Sequence, residues 1–132
     1  ENILGSLNGV FYTDTNTSKP TFANHLLAAN GASDITALVN DSPLQQYEVR
    51  SNNAGASAQA DVGATADIAY TAGDTSNFVS RCTLDDATIN VAVQQLKIIG
   101  VSRDPENSDL TAANVVWRVI VNQSAFDDTS GV

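Results

Sequence analysis

His25 is the single histidine of the chain, so histidine-dependent catalysis or metal binding would have to use this residue. It stands beside Leu26 and Leu27 with no catalytic motif around it. The sequence contains no G-x-S-x-G elbow, P-loop, dinucleotide fingerprint or H-E-x-x-H pair, which removes the common hydrolase, nucleotide-binding and zinc hypotheses. We therefore predict that His25 is structural, that the protein is not an enzyme, and that it has no catalytic residues.

Carboxylates cluster at two places where they could hold a cation or exchange protons. Asp104, Glu106 and Asp109 supply hard oxygen ligands of the kind calcium prefers, but the central Gly and terminal Glu of a calcium loop are missing. Asp85 and Asp86 could do acid-base work only with a partner group, and they more plausibly cap or begin a turn. The sequence predicts a solvated hairpin tip, a capped turn, no metal site and no cofactor.

Cys82 is the only cysteine, so the chain can form no intramolecular disulfide. This absence fits assembly inside a cell. Its neighbours Phe78, Val79 and Leu84 predict that the thiol is buried as a small hydrophobic group.

Composition limits the classes of partner. The chain has 132 residues, a net charge of −9 and six Lys and Arg residues in total. Binding to nucleic acid requires a basic surface, and an anionic membrane requires one too, so neither partner is expected. No stretch approaches the length of a transmembrane helix. A chain of this length is expected to build one hydrophobic core.

The strongest structural signal is the alternation from Val115 to Val121. One face of this strand is wholly apolar and should lie in the core; it carries Val115, Trp117, Val119 and Val121. Further strands are predicted at residues 35–39, 47–49, 66–70, 78–82 and 91–101, with a short helix at 22–29 and a surface loop at 51–63. Short strands separated by turn signals predict an all-β protein, a β-sandwich or jelly roll.

The first 24 residues predict an extended N-terminal arm, followed by a single β domain at 25–132. Glycines interrupt the apolar positions of this arm, which disfavours a helix, and a polar run follows them. Exposed apolar groups of this kind usually bind a partner. The candidate residues for an interface with a partner protein or with another subunit are Ile3, Leu4, Leu7, Phe11 and Tyr12. Removal of residues 1–20 is expected to leave a folded β protein.

Three runs between Ala66 and Val121 carry a resemblance to a known group of proteins. They are A-D-I-A-Y-T-A-G-D-T at 66–75, L-D-D-A-T-I at 84–89 and Q-L-K-I-I-G-V-S-R-D-P-E-N at 95–107, the last followed by a second strand. These runs resemble small virion proteins of tailed bacteriophages, in particular capsid decoration (cement) proteins. The resemblance implies a β-rich body that binds the outer surface of the capsid and stabilises it against internal pressure.

The partners implied by that resemblance are the major capsid protein and further copies of the same chain, which places the protein on the capsid exterior of a virion. A different class also remains open. A β-sandwich adhesin or carbohydrate-binding module, for example in a tail or receptor-binding structure, could have this size. Such a module would present exposed aromatic residues for sugar stacking, and the chain has eight aromatics, several of which are expected in the core.

Overall fold

A computed structural model describes residues 2–126 of the chain. Eight strands within these residues form two antiparallel sheets, and the helical segments among them are single 3₁₀ turns. The all-β prediction is confirmed, whereas the strand order does not confirm a jelly roll. The chain divides into two compact units: an N-terminal unit, Leu4–Ser42, and a main unit that contains Ile3 and the chain from Pro43 onward.

The N-terminal unit is a three-stranded sheet in the order β2-β1-β3. Its strands are β1 Ser6–Thr13, β2 Pro20–Ala23 and β3 Thr36–Asn40. The central strand, β1, comes from the segment predicted to be an arm. The prediction placed a boundary at residue 24, but the compact unit extends to Ser42 because β3 pairs with β1 along the whole of its length.

The predicted helix at 22–29 is not formed. Phe22 and Ala23 belong to β2, where they pair with Phe11 and Val10 of β1. Only the end of the segment is helical, as a 3₁₀ turn at Ala28–Asn30 that stops at a left-handed Gly31. Pairing with β1 provides Phe22 with a cross-strand aromatic neighbour, which a two-turn helix would not offer.

The main unit is a five-stranded sheet in the order β4-β8-β7-β5-β6. Its strands are β4 Gln46–Arg50, β5 Thr65–Ala69, β6 Thr83–Asp85, β7 Leu96–Val101 and β8 Val116–Val121. Its buried core consists of Ala66, Leu84, Leu96, Ile98, Val115, Trp117 and Val119. The predicted inward face of β8 is confirmed, since all four of its residues are buried.

The two edge strands of the five-stranded sheet meet each other. Ser51, directly after β4, forms a parallel bridge with Leu84 of β6, and the amide of Asn52 donates a hydrogen bond to the Leu84 carbonyl at 2.9 Å. The first and last strands of one sheet can pair only if the sheet curls back on itself. The five strands therefore wrap around their core, and we call the junction of Ser51–Asn53 with Leu84–Asp86 the seam.

Polar side chains hold the seam together. The Ser51 hydroxyl donates a hydrogen bond to one carboxylate oxygen of Asp86, and it accepts one from the Asn53 amide at 3.0 Å. The Asn52 side chain donates to Asp85 at 3.0 Å and accepts from the Asp86 amide at 3.2 Å. Asp85 also caps the 3₁₀ turn Asp86–Thr88, as predicted for this pair of carboxylates. The junction is too short to form a ladder of backbone hydrogen bonds, and these side-chain hydrogen bonds replace it.

Candidate interaction surface

One face of the N-terminal sheet is apolar and exposed. Strand register places Phe11 opposite Phe22 on one side and opposite Thr36 on the other, and it places Gly9 opposite Leu38. Directly opposite residues in an antiparallel pair lie on the same face, with Cβ atoms about 4.5–5.5 Å apart. We call this surface the aromatic face. Phe11, Phe22 and Leu38 are 47%, 61% and 47% exposed, so solvent reaches all three of its large side chains.

Gly9 gives the aromatic face its local shape. A Cβ atom at this position would lie 2.5 Å from Cζ of Phe22, which means that the Phe22 ring lies over the backbone of β1. The ring accounts for the burial of Gly9 in an otherwise exposed face. A side chain at residue 9 would displace the ring, so the glycine allows the Phe22 ring to lie against the β1 backbone.

The opposite face of β1 carries different residues. Val10 and Tyr12 are buried, Tyr12 at 6% exposure. A register shift between Leu7 and Gly9 pairs Leu7 with Val39, and this pairing places Leu7 on the face of Val10. The bulge thus divides the apolar residues of β1 between two faces.

The five predicted interface residues therefore have different environments. Phe11 lies on the aromatic face, Leu7 lies on the opposite face, and Leu4 and Leu7 are each about half exposed. Tyr12 is buried. Ile3 belongs to the main unit, where its amide donates to the Gln123 carbonyl at 2.8 Å and its carbonyl accepts from Ala125 at 3.0 Å. The structure brings Phe11 together with two residues that the sequence did not single out, Phe22 and Leu38.

Carboxylates with lowered pKa values flank the same sheet. The Thr13 hydroxyl and amide donate to Asp34 at 2.6 and 3.0 Å and hold the pKa of Asp34 below its usual value. The amides of Asn16 and Thr17 lower the pKa of Asp14, which begins the turn between β1 and β2. Residues 4–42 contain three Asp and one Lys, which gives a net charge of −2. The N-terminal unit therefore has few charged residues and is weakly negative.

The residues considered for chemistry are not arranged for it. His25 is half-buried, with Nδ1 2.7 Å from the side-chain oxygen of Asn24. Asp104 caps the 3₁₀ turn Pro105–Asn107, and Thr111 holds Asp109 through its hydroxyl and amide, which lowers the pKa of Asp109. Within residues 2–126, no group of three or more His, Cys, Asp or Glu residues is placed to hold a metal ion.

The prediction that Cys82 is buried is wrong, because the thiol is exposed. The predicted strand at 78–82 is not formed either. Phe78 adopts a left-handed backbone, its amide donates to the Asp74 carbonyl at 2.8 Å, and the Asp74 amide donates to Val79 at 3.1 Å. This closed turn takes up the backbone groups that a strand would have used, and Cys82 follows it outside any strand.

A cavity of about 270 Å³ lies beside the seam. Its lining consists of Asn53, Gly55, Ala56, Ser57, Thr111, Ala112 and Ala113. Asn53 and Asn114 both have a left-handed backbone conformation and join the two sides of the cavity. The Asn53 side chain donates a hydrogen bond to the Asn114 side chain and accepts one from the Asn114 amide. None of these described lining residues is aromatic or charged, so the cavity offers hydrogen bonds but no surface for ring stacking.

Comparison with protein families, with curated proteins and with solved structures gives no match. Among residues 2–126, no helix has the length and apolar character needed to cross a bilayer.

Proposed function

We propose that this chain is a virion structural protein that binds the outer surface of a phage capsid and stabilises it, and that the aromatic face is its attachment surface. The observation that carries the proposal is the exposure of Phe11, Phe22 and Leu38 side by side on a sheet of low charge. Contiguous exposed apolar groups of this kind mark sites of protein association. The resemblance of residues 66–121 to decoration proteins supplies the class of partner, the major capsid protein.

The energetics favour attachment through a preformed sheet rather than a flexible arm. Phe11, Phe22 and Leu38 are about half exposed, so burying the rest of each side chain contributes roughly half of the 1.5–3 kcal/mol that full burial gives. Phe11, Phe22 and Leu38 already lie in paired strands, so attachment costs them little backbone entropy. Association itself costs about 4–15 kcal/mol, which makes one contact weak. Repeated copies on a symmetric shell overcome this cost through effective concentration.

Charge narrows the chemistry of the capsid site. The chain carries −9 overall, and Asp14 and Asp34 flank the N-terminal sheet, where hydrogen bonds lower their pKa values. A complementary partner has an apolar depression with Lys or Arg residues around it. Attachment should therefore weaken at high salt because salt screens the charges, but the affinity that comes from apolar contact should remain.

The second candidate is an adhesin or carbohydrate-binding module, and the same Phe pair is the observation that favours it. Tyr70 and Phe126 are exposed as well, so half of the eight aromatic side chains face solvent. Sugar recognition, however, combines a stacking ring with adjacent hydrogen-bonding groups. The neighbours of Phe11 and Phe22 on the face include Gly9, Thr13, Thr36 and Leu38. Only the two threonines have hydroxyls, and that of Thr13 already donates to Asp34. This composition suits an apolar protein surface better than a glycan.

The test is co-sedimentation with particles from the virus that carries the gene, after mass spectrometry has placed the chain in them. Phe22→Ser should weaken retention about tenfold, because it removes roughly 1.4 kcal/mol or more of apolar contact per copy. Tyr70→Ser is the matched control, since Tyr70 is 82% exposed but lies outside the aromatic face. Equal retention of both variants would contradict the assignment of the surface, and binding on a glycan array with no binding to capsids would favour the adhesin.

Deletion of residues 1–20 is not a suitable test. It removes β1, the central strand of the N-terminal sheet, and leaves β2 and β3 without their pairing partner. Loss of attachment would then report an unfolded unit and not an absent contact. Single substitutions on the exposed face preserve the sheet and avoid this ambiguity.

A further inference from the structure

The outer edge of β3 is an exposed edge without the usual protection. Natural sheets protect their edges with prolines, charges, bulges or covering elements. Of the four edges in the described sheets, those of β4 and β6 meet at the seam, and β2 begins with Pro20 directly after Lys19. The fourth edge, β3, contains no proline and no charged residue within Thr36–Asn40, and its flanking charges, Asp34 and Asp41, lie outside the strand.

The segment Ile35–Val39 has the composition of a strand that pairs. Its sequence, I-T-A-L-V, contains no charge, proline or glycine, and its first four residues are exposed. The nearest carboxylate before it, Asp34, is bound by the amide and hydroxyl of Thr13 in β1. That carboxylate is thereby drawn toward the inner strand and does not protect the outer edge. An exposed, uncharged edge of this kind is a template for another strand.

We infer that β3 pairs antiparallel with β3 of a second copy of this chain, with the two Ala37 residues opposite each other on a two-fold axis. The charges at the ends of the strand select this arrangement. A parallel pair would place Asp34 opposite Asp34 and Asp41 opposite Asp41, and like charges directly opposite destabilise a sheet. The antiparallel pair places Asp34 opposite Asn40 and Asp41 opposite Ser33.

The register follows from the same comparison. Along β3, the N–H and C=O groups of alternate residues point toward β1 or toward the open edge. A shift of one residue would set a residue whose groups point toward the open edge opposite one whose groups point toward β1, so no regular ladder could form. The next symmetric register, centred on Leu38, places Asp41 against the apolar side chain of Ile35. Centring on Ala37 pairs Ile35 with Val39 and leaves each carboxylate opposite a polar residue.

The dimer would join two aromatic faces. Opposite residues share a face, so Thr36 of one copy lies beside Leu38 of the other, on the same side as Phe11 and Phe22. The product is a six-stranded sheet with one continuous apolar surface. This step deepens the proposed function, because two linked faces bind a symmetric shell more firmly than one, but the dimer itself does not depend on a capsid.

Disulfide trapping tests the register directly. In a Cys82→Ser background, Ala37→Cys places two thiols at a Cα separation of about 4.5–5.5 Å, within the range that a disulfide spans. Mild oxidation of the purified protein should yield a cross-linked dimer much faster than in the control Ala72→Cys with Cys82→Ser, whose cysteine is exposed outside the sheets. Equal rates of cross-linking in the two variants would overturn the proposed pairing.

Sedimentation equilibrium of the intact chain, without capsids, tests the dimer independently. Ala37→Lys sets two like charges opposite each other and should weaken dimerisation about tenfold, whereas Ala72→Lys should leave it unchanged. Ala37 lies on the face of Val10, so this variant does not alter the aromatic face. A monomer at all concentrations in the unsubstituted chain would overturn the inference, while capsid retention by a monomeric Ala37→Lys variant would leave the proposed function standing.

Discussion

The side chain of Asn107 binds both backbone groups of Val116. Its Oδ1 accepts a hydrogen bond from the Val116 amide at 2.8 Å, and its Nδ2 donates to the Val116 carbonyl at 2.9 Å. The Ser102 amide donates to the same carbonyl at 2.9 Å, directly after β7 ends. A carboxamide presents an N–H donor and a carbonyl acceptor side by side, as a peptide group does, so Asn107 continues the ladder of β7 against β8 after β7 has ended.

Asn107→Asp should therefore destabilise the protein by about 1–3 kcal/mol, because a carboxylate cannot donate to the Val116 carbonyl and sets a charged oxygen against it. Urea unfolding followed by circular dichroism measures the change. Glu106→Gln is the control, since Glu106 lies in the same 3₁₀ turn with an exposed side chain. Equal stability of Asn107→Asp and the control would show that the carboxamide contributes little.

Trp117 is the largest side chain of the core and is fully buried. Trp117→Ala should cost about 3–5 kcal/mol through the cavity it leaves. Its Nε1 is buried and has no acceptor among residues 2–126, so Trp117→Phe loses volume but also removes a donor that these residues leave unpaired. The Phe variant should consequently retain most of the stability in urea unfolding, and a loss as large as that of Ala would show that the donor has a partner.

The Ser51–Asp86 pair of the seam should make stability depend on pH. Burial raises the pKa of Asp86, and the hydrogen bonds from Ser51 and the Asn53 amide only partly oppose this effect. The folded protein thus binds the proton more tightly than the unfolded chain, whose carboxyl has its ordinary value of 3.8. The contribution to stability is complete below that value and is lost as the pH rises through the raised pKa.

Asp86→Asn should remove this dependence while its amide oxygen still accepts from the Ser51 hydroxyl. The free energy of unfolding of the variant, minus that of the unsubstituted chain, should increase with pH from about 4 upward. Taking the difference cancels the opposite dependence from Asp14, Asp34 and Asp109, whose lowered pKa values favour folding at higher pH. Asp104→Asn, at an exposed cap, serves as control. A difference that decreases with pH would mean that the Asp86 carboxylate is stabilised in the folded state.

Gly9 and Phe22 should be energetically coupled. Gly9→Ala brings Cβ into the space of the Phe22 ring, so the ring must move off the backbone of β1. Adding Phe22→Ala removes the collision, and the cost of Gly9→Ala should be smaller in that background. A double-mutant cycle in urea should give a coupling of at least about 0.5 kcal/mol. Additive effects would show that the ring is free to leave Gly9 without cost.

The sequence predicted β8 and its core because every second residue from Val115 to Val121 is apolar, whereas the other face is interrupted by Arg118. It failed where distant side chains replace a strand ladder. Val91 and Val93 were placed in a strand, but both are exposed in a turn. Thr65 binds the Ala92 carbonyl at 2.7 Å and Gln123 binds that of Val93 at 3.3 Å, and contacts between residues 27 and 30 positions apart leave no local pattern.

The aromatic face was only partly predictable for a related reason. Phe11 stands out as an apolar residue in the first segment, but its partners Phe22 and Leu38 join it only through register. The alternation Thr21, Phe22, Ala23 is the signal that could have identified β2, although it is too short to decide between a strand and a helical turn. The bulge before Gly9, which places Leu7 on the other face, has no signal in the sequence beyond the glycine itself.

The burial of the single tryptophan in the main unit has an optical consequence. The N-terminal unit contains Tyr12 but no tryptophan, so light absorbed selectively by indole reports on the main unit alone. Emission from Trp117 should shift to longer wavelength when the curled sheet opens and water reaches the ring, whereas loss of the three-stranded sheet should leave the emission unchanged. Fluorescence and far-ultraviolet dichroism recorded on the same sample would then separate the melting of the two units without any label.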